Sequence, residues 1–204
     1  MYIAFYKPYG VLSSFTQEVK HGTDTGKRTL SEFGLPKGVY AAGRLDYDSE
    51  GLLILSDDGT FIHRLTDPHY KLPKVYVAQV EGIPTAQMLE TLRHGVTVQG
   101  YKTLPSRVHQ LDADPRLPAR EKAITPHGPT AWLELTLSEG KKRQVRHMTA
   151  QVGLPTLRLV RVAIGPVTLD GLLPGQWREL TVDEVRSIVR PRAGNRPVYK
   201  APPT

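Results

Sequence analysis

Residues 43–59, GRLDYDSEGLLILSDDG, set five carboxylates and one arginine beside an apolar run. Such carboxylates can serve as nucleophiles or bases, or they can simply build turns. Local rules give four of them structural work. Asp57 and Asp58 precede Gly59, and an Asp-Gly pair marks a turn or a helix start. Glu50 stands before Gly51 at the entrance to Leu52-Leu53-Ile54-Leu55, a short apolar run that reads as a buried strand. Asp48 shares a polar bend with Ser49. Asp46 follows Arg44-Leu45 with no turn signal beside it, and is left over.

Two other pieces carry reactive side chains. Residues 139–148, EGKKRQVRHM, form a strand–glycine–helix corner that aims arginines and backbone N–H groups from a helix start, a geometry suited to a phosphate or carboxylate partner. Tyr76 lies in KVYVAQVE. Taken alone, Asp46 reads as an ordinary ion-pair or turn residue and Tyr76 as a core aromatic. Spacing does not show that the three pieces meet. Other signals fall away. GTDTGKRT (22–29) is one residue short of a phosphate-binding loop and has Arg28 where Ser or Thr is required. Asp48-Ser49-Glu50-Gly51 lacks the first glycine of a nucleophile elbow, Tyr47 standing there instead. The histidines at 21, 63, 69, 94, 109, 127 and 147 include no pair at i,i+4, and there is no cysteine, so no metal site is expected.

The elements that must position these residues can be read along the chain. Its 204 residues suffice for one full core or two small subdomains. Strands are predicted at 2–6, 11–15, 52–55, 74–81, 131–138 and 157–164 from alternation or short apolar runs. Helices are predicted at 60–66 after Asp58-Gly59, from Thr85 to Arg93 with a stop at Gly95, and from Arg143 to Val152 with a stop at Gly153. A further helix opens on the capping box Thr181-Val182-Asp183-Glu184 and ends before Pro191. Residues 17–38 read as loop with a short helix near Leu30–Phe33, and 105–130, with five prolines, as a surface excursion. The mixture lacks a βαβ rhythm, which predicts an α+β fold with a largely antiparallel sheet and flanking helices.

Charge bounds the partners. The net charge is +7, yet Arg186, Arg190, Arg192, Arg196 and Lys200 follow the last acid and leave the rest at only +2. The basic signal is thus local, in the C-terminal stretch from Arg186, which ends in a flexible tail at 191–204, and in Lys141-Lys142-Arg143 with Arg146 and His147. No stretch approaches the roughly 18 apolar residues of a membrane span, and the N-terminus does not read as a signal peptide. A cytoplasmic setting fits the lack of cysteine.

These motifs resemble those of the RsuA, RluB, RluE and RluF family of pseudouridine synthases. Lys7-Pro8-Tyr9-Gly10, GRLDYDSEGLLILSDDG, KVYVAQVEG and EGKKRQVRHM match the family's motifs in order, and VYAAGRLD, QVEGIPT and TLRLVRVAIG look like its RluE branch. The resemblance implies the pseudouridine synthase fold, two subdomains around a catalytic cleft. It implies a catalytic domain over 1–190 without the N-terminal S4-type RNA-binding domain of other members. The implied reaction isomerises a uridine in RNA, most simply in 23S rRNA or a large-subunit assembly intermediate, and needs no cofactor; a monomer is the default expectation. Asp46 matches the reacting aspartate, which attacks the sugar or base or takes the C2′ proton. Arg146 matches its basic partner, Tyr76 the residue that stacks on uracil and removes the C5 proton, and Val145 the apolar pocket wall. Arg44 matches the residue that fills the space left by the flipped base, and Lys141, Lys142, Arg143 and Gln144 would face RNA. Tyr47 and His147 stand where RluE-type members commonly have arginine. The rival readings are a non-catalytic RNA-binding protein and an RNA glycosylase, and they differ in product: unchanged RNA or an abasic site.

Overall fold

The computed structural model describes residues 1–17, 19–20 and 23–190, so the expected basic tail lies outside the described residues. One nine-stranded sheet carries the molecule: β1 (Tyr2–Lys7), β2 (Tyr40–Ala41), β3 (Glu50–Ser56), β4 (Lys74–Glu81), β5 (Arg107–Gln110), β6 (Thr130–Leu137), β7 (Thr156–Ile164), β8 (Val167–Thr168) and β9 (Trp177–Glu179). The order is β9-β1-β3-β7-β4-β6-β5, with β8 beside β7 and β2 beside β3. Every pairing is antiparallel except β3 with β7. Two antiparallel halves therefore meet along one parallel seam.

Side-chain pattern explains which strands are central. All seven residues of β3 are buried, as expected for a strand covered on both faces. Its alternate residues, with those of β1, feed two cores. Ala4, Tyr6, Leu52 and Ile54 join Phe61, Leu65 and Ile188, beneath α1 (Gly59–Thr66) and α4 (Val182–Val189). Ile3, Phe5, Leu53 and Leu55 join Val11, Leu30 and Leu45 on the opposite face. A third core under α2 (Ala86–His94) and α3 (Gln144–Gln151) holds Tyr76, Ala78, Leu92, Val145 and Met148. The helix caps follow the local signals: Asp58 caps α1, Thr85 caps α2, and Thr181 with Glu184 closes a capping box on α4.

The seam depends on two neighbouring residues. Gly51 has φ +106°, and a Cβ there would lie 2.3 Å from the Arg161 carbonyl oxygen, so only glycine lets β3 approach β7 this closely. Glu50 is 1% exposed and Arg158 6%. Arg158 Nε donates to Glu50 Oε1 (2.9 Å), and its Nη2 to Glu50 Oε2 (2.8 Å) and to the Pro118 carbonyl (2.7 Å). Removing one member of such a pair strands the other's charge in the interior. Glu50→Ala is therefore expected to lower unfolding free energy by about 3–5 kcal/mol, read from urea denaturation; a loss under 1 kcal/mol would contradict this.

Several expectations are corrected. Residues 11–15 form no strand: Val11 makes a single bridge to Arg28. Ser13 is tied by its hydroxyl, which donates to the Leu45 carbonyl (2.9 Å) and accepts from the Leu45 N–H (3.0 Å). The excursion at 105–130 contains the edge strand β5, which buries only Val108 and so showed no alternation. β9 was not foreseen either; three residues are too short to carry a period. Asp46 does sit in a turn, since its carbonyl accepts the Ser49 N–H (3.0 Å). That bond uses the main chain and leaves the carboxylate out.

Candidate active site

A cavity of about 800 Å³ opens over the sheet where β4 and β7 run beside the seam. The 42–49 segment forms one wall, ahead of β3, and the 137–145 corner between β6 and α3 forms another. Lys74 and Tyr76 from β4, Leu159 and Arg161 from β7, and residues 12–13, Lys27 and residues within 65–71 also line it. Asp46, Tyr76, Arg44, Lys141, Lys142, Arg143, Gln144 and Val145 all line this one cavity, so tertiary structure joins pieces that lie up to a hundred residues apart.

The five carboxylates of the 43–59 stretch now separate by contact. Asp58 Oδ1 accepts the N–H groups of Thr60 (2.9 Å) and Phe61 (3.1 Å), and its Oδ2 accepts the Tyr2 hydroxyl (2.9 Å). Asp57 pairs with the N-terminal amine. Glu50 holds Arg158. Asp48 accepts a two-pronged contact from Arg143, Nη1 to Oδ1 at 2.7 Å and Nη2 to Oδ2 at 3.0 Å. The Asp46 carboxylate, partly buried in the cavity wall, makes no hydrogen bond or ion pair among the described residues.

Its surroundings are nonetheless cationic. The Asp46 charge acts on Lys7, Arg143 and Arg146. Burial pulls the Lys7 ammonium down to about 7, against the opposing pull of Glu50, Asp48 and Asp46, while Lys7 Nζ donates to the carbonyls of Pro8 (2.9 Å) and Val11 (2.8 Å). Burial raises the Asp48 carboxyl, but the Arg143 hydrogen bond and the charges of Arg146 and Arg143 outweigh it and hold the group below its ordinary value.

Arg146 departs from the expected pairing with Asp46. Its Nη2 donates to the Asp48 carbonyl (2.7 Å), its Nη1 to the Thr156 carbonyl (3.1 Å), and its Nε lies 3.5 Å from Asp48 Oδ2. Arg146 is not part of the cavity wall. It ties the 46–49 turn to α3 and β7 and reaches Asp46 through its field. Burial draws its pKa below the ordinary arginine value, with Asp48 opposing.

Arg143 takes a left-handed conformation (φ 53°) at the start of α3. That costs a non-glycine residue on the order of 1 kcal/mol, offset by the contact with Asp48. Gln144 is buried rather than RNA-facing: its Oε1 accepts the Lys141 N–H (2.9 Å) and its Nε2 donates to Glu139, which also accepts the Leu104 N–H (2.8 Å). It shapes the 139–144 corner. Lys141 sits 3.6 Å from the Tyr101 ring centroid, and Arg44 and Lys142 are exposed. Tyr76, 9% exposed, packs in the same core as Val145. Sequence reading missed Asp48, Lys7, Lys74 and Arg161 as site residues, because the charges around each come from distant parts of the chain.

A carboxylate without a partner among the described residues, set in a cationic field and sharing its cavity with a buried aromatic, can add to an electrophilic carbon or take a proton beside a flat ring. Comparison with known proteins agrees. The profile of the family described as RNA pseudouridylate synthase matches residues 1–151. A ribosomal large subunit pseudouridine synthase E from Xanthomonas campestris pv. campestris is 53% identical over 190 residues, 92% of this chain and 98% of that protein. One of the same name from Vibrio vulnificus is 48% identical over 185 residues, 88% of this chain and 75% of the other. A solved structure described as a crystal structure of pseudouridylate synthase matches with TM-score 0.74 at 27% identity, over 92% of this chain and 73% of its own. The α+β fold expected from sequence is thus that of these enzymes, and the chain belongs to the RNA pseudouridylate synthase family.

Proposed function

We propose that this enzyme isomerises a uridine of large-subunit ribosomal RNA, 23S rRNA or an assembly intermediate that contains it, to pseudouridine, with Asp46 as the reacting carboxylate. The observation that carries the residue assignment is the state of the five carboxylates: four are engaged by structural partners, and Asp46 alone stands open in the cavity. The relatives named for the large subunit support the substrate.

The residues divide the work. The target uridine leaves its stack at a cost of a few kcal/mol, and Arg44 at the rim takes its place with a planar guanidinium. Tyr76 and Val145 form the apolar slot for the base. Asp46 attacks sugar or base, or takes the C2′ proton, while Arg143 and Arg146 hold its turn through Asp48. The base turns, C5 bonds to C1′, and Tyr76 takes the C5 proton. No electrons leave and no group enters, so the chemistry calls for no cofactor. Lys141 and Lys142 meet the backbone phosphates. Residues 1–190 form the catalytic unit, active as a monomer in the cytoplasm, and the basic residues beyond add sequence-independent RNA contact.

Pseudouridine mapping across rRNA from cells with and without the gene tests this. One large-subunit site should disappear with the gene, and the purified protein should restore it. An unchanged map would overturn the reading, and an abasic site would replace it with base excision.

A further inference from the structure

Of the buried arginines on the β7 strand, one is neutralised and one is not. Arg158 is held by Glu50, whereas no carboxylate pairs with Arg161 among the described residues. Arg161 is 4% exposed and borders the cavity. Its Nε donates to the Leu52 carbonyl (2.8 Å), which fixes the guanidinium plane, but its Nη2 is buried without a hydrogen-bond partner among the described residues. A buried guanidinium N–H left unsatisfied is costly, and such groups mark places where something else binds.

A second cation stands beside it. Arg161 is the cross-strand partner of Tyr76, and such partners share one face of the sheet. Lys74 lies two residues before Tyr76 on β4 and so shares that face too. Lys74 also borders the cavity; its Nζ donates only to the Leu72 carbonyl (3.1 Å), and its stem lies against Gly140. Burial and the Arg161 charge pull its pKa down to about 8, which leaves the ammonium charged at neutral pH. Two cations thus stand beside the aromatic slot with no carboxylate paired to them among the described residues, an arrangement the architecture of the sheet does not require.

We propose that Lys74 and Arg161 form the cationic end of the slot, where they donate to the carbonyl oxygens of the flipped uracil and take up the negative charge that its ring acquires during isomerisation. The inference rests on the functional reading above. When the N1–C1′ bond opens, its electron pair stays with the ring and spreads onto O2 and O4. If Asp46 instead adds to the base, the displaced pair comes to rest on O4. Either way charge develops at the carbonyl edge, and the same pair returns to carbon when C5 bonds to C1′. Backbone phosphates are the poorer fit, because they remain with the exposed Arg44 and Lys142 at the rim while Arg161 is enclosed. Lysine and arginine offer donors only. They therefore accept the O4 carbonyl of uracil and oppose the 4-amino group of cytosine, which adds base selectivity to charge stabilisation.

The decisive variant is Lys74→Met, which keeps the stem and removes the charge, with Lys74→Gln as a second form should the first be unstable. Single-turnover formation of pseudouridine in an rRNA transcript bearing the mapped site, at saturating enzyme, should slow by roughly 10²-fold. RNA affinity should stay within about threefold and thermal unfolding should be unchanged, since charge development is a feature of the reaction and not of docking. Lys74→Arg should recover most of the rate, and Arg161→Lys should lose it in the same way if it folds. A wild-type rate in the neutral Lys74 variants, or a loss carried wholly by weaker RNA binding, overturns the inference while leaving the parent reading intact. Absence of pseudouridine with the wild-type protein fails the parent reading instead, and this one with it.

Discussion

Asp46→Asn is expected to abolish isomerisation, with a fall on the order of 10⁴-fold or more, as is usual when a reacting group is removed. The amide keeps the size and shape of the carboxylate but can neither add to carbon nor take a proton at neutral pH. The fold should not notice. Asp46 holds its turn through a main-chain carbonyl, and no described residue bonds its carboxylate. RNA affinity should remain within a few fold, because the basic rim of Arg44, Lys141 and Lys142 is untouched. Tritium release from C5-labelled uridine in rRNA measures the first quantity and filter binding the second. Turnover retained at a tenth of wild type would remove Asp46 from the reaction and turn attention to Asp48, the nearest alternative carboxylate in the turn.

Tyr76→Phe separates the ring of that residue from its hydroxyl. The ring is buried against the core that holds Val145 and Met148, so phenylalanine should fill the same space and the base should still stack. Scission of the N1–C1′ bond should continue, and loss of the C5 proton should become limiting. Pseudouridine formation should then fall by roughly 10²–10⁴-fold, the range of lost acid–base assistance. Rapid-quench analysis distinguishes the two steps, because an intermediate joined at C5 should accumulate in the variant. Normal turnover would reduce Tyr76 to a packing and stacking residue.

Helix starts and interior strands were legible in the sequence because short-range rules set them. Asp58, Thr85 and Thr181 cap N–H groups two or three residues ahead, and β4 and β6 alternate between two faces at every step. Local rules left Asp46 without a structural role, and only the resemblance of its motif to the family implied a reacting one. Tertiary structure alone decided what its neighbours do. Asp48 meets Arg143 across 95 residues of chain and Glu50 meets Arg158 across 108, so neither pairing leaves a local trace. Arg146 lies two residues from Gln144, yet its hydrogen bonds run to the turn after Asp46 and to β7, which no helical spacing encodes. Arg158 and Arg161 are three residues apart on one strand and look alike in sequence. Only the register of β7 against β3 and β4 gives one a carboxylate and sets the other beside Tyr76, because a strand turns successive side chains to opposite faces and the bulge after Arg161 shifts the register beyond it.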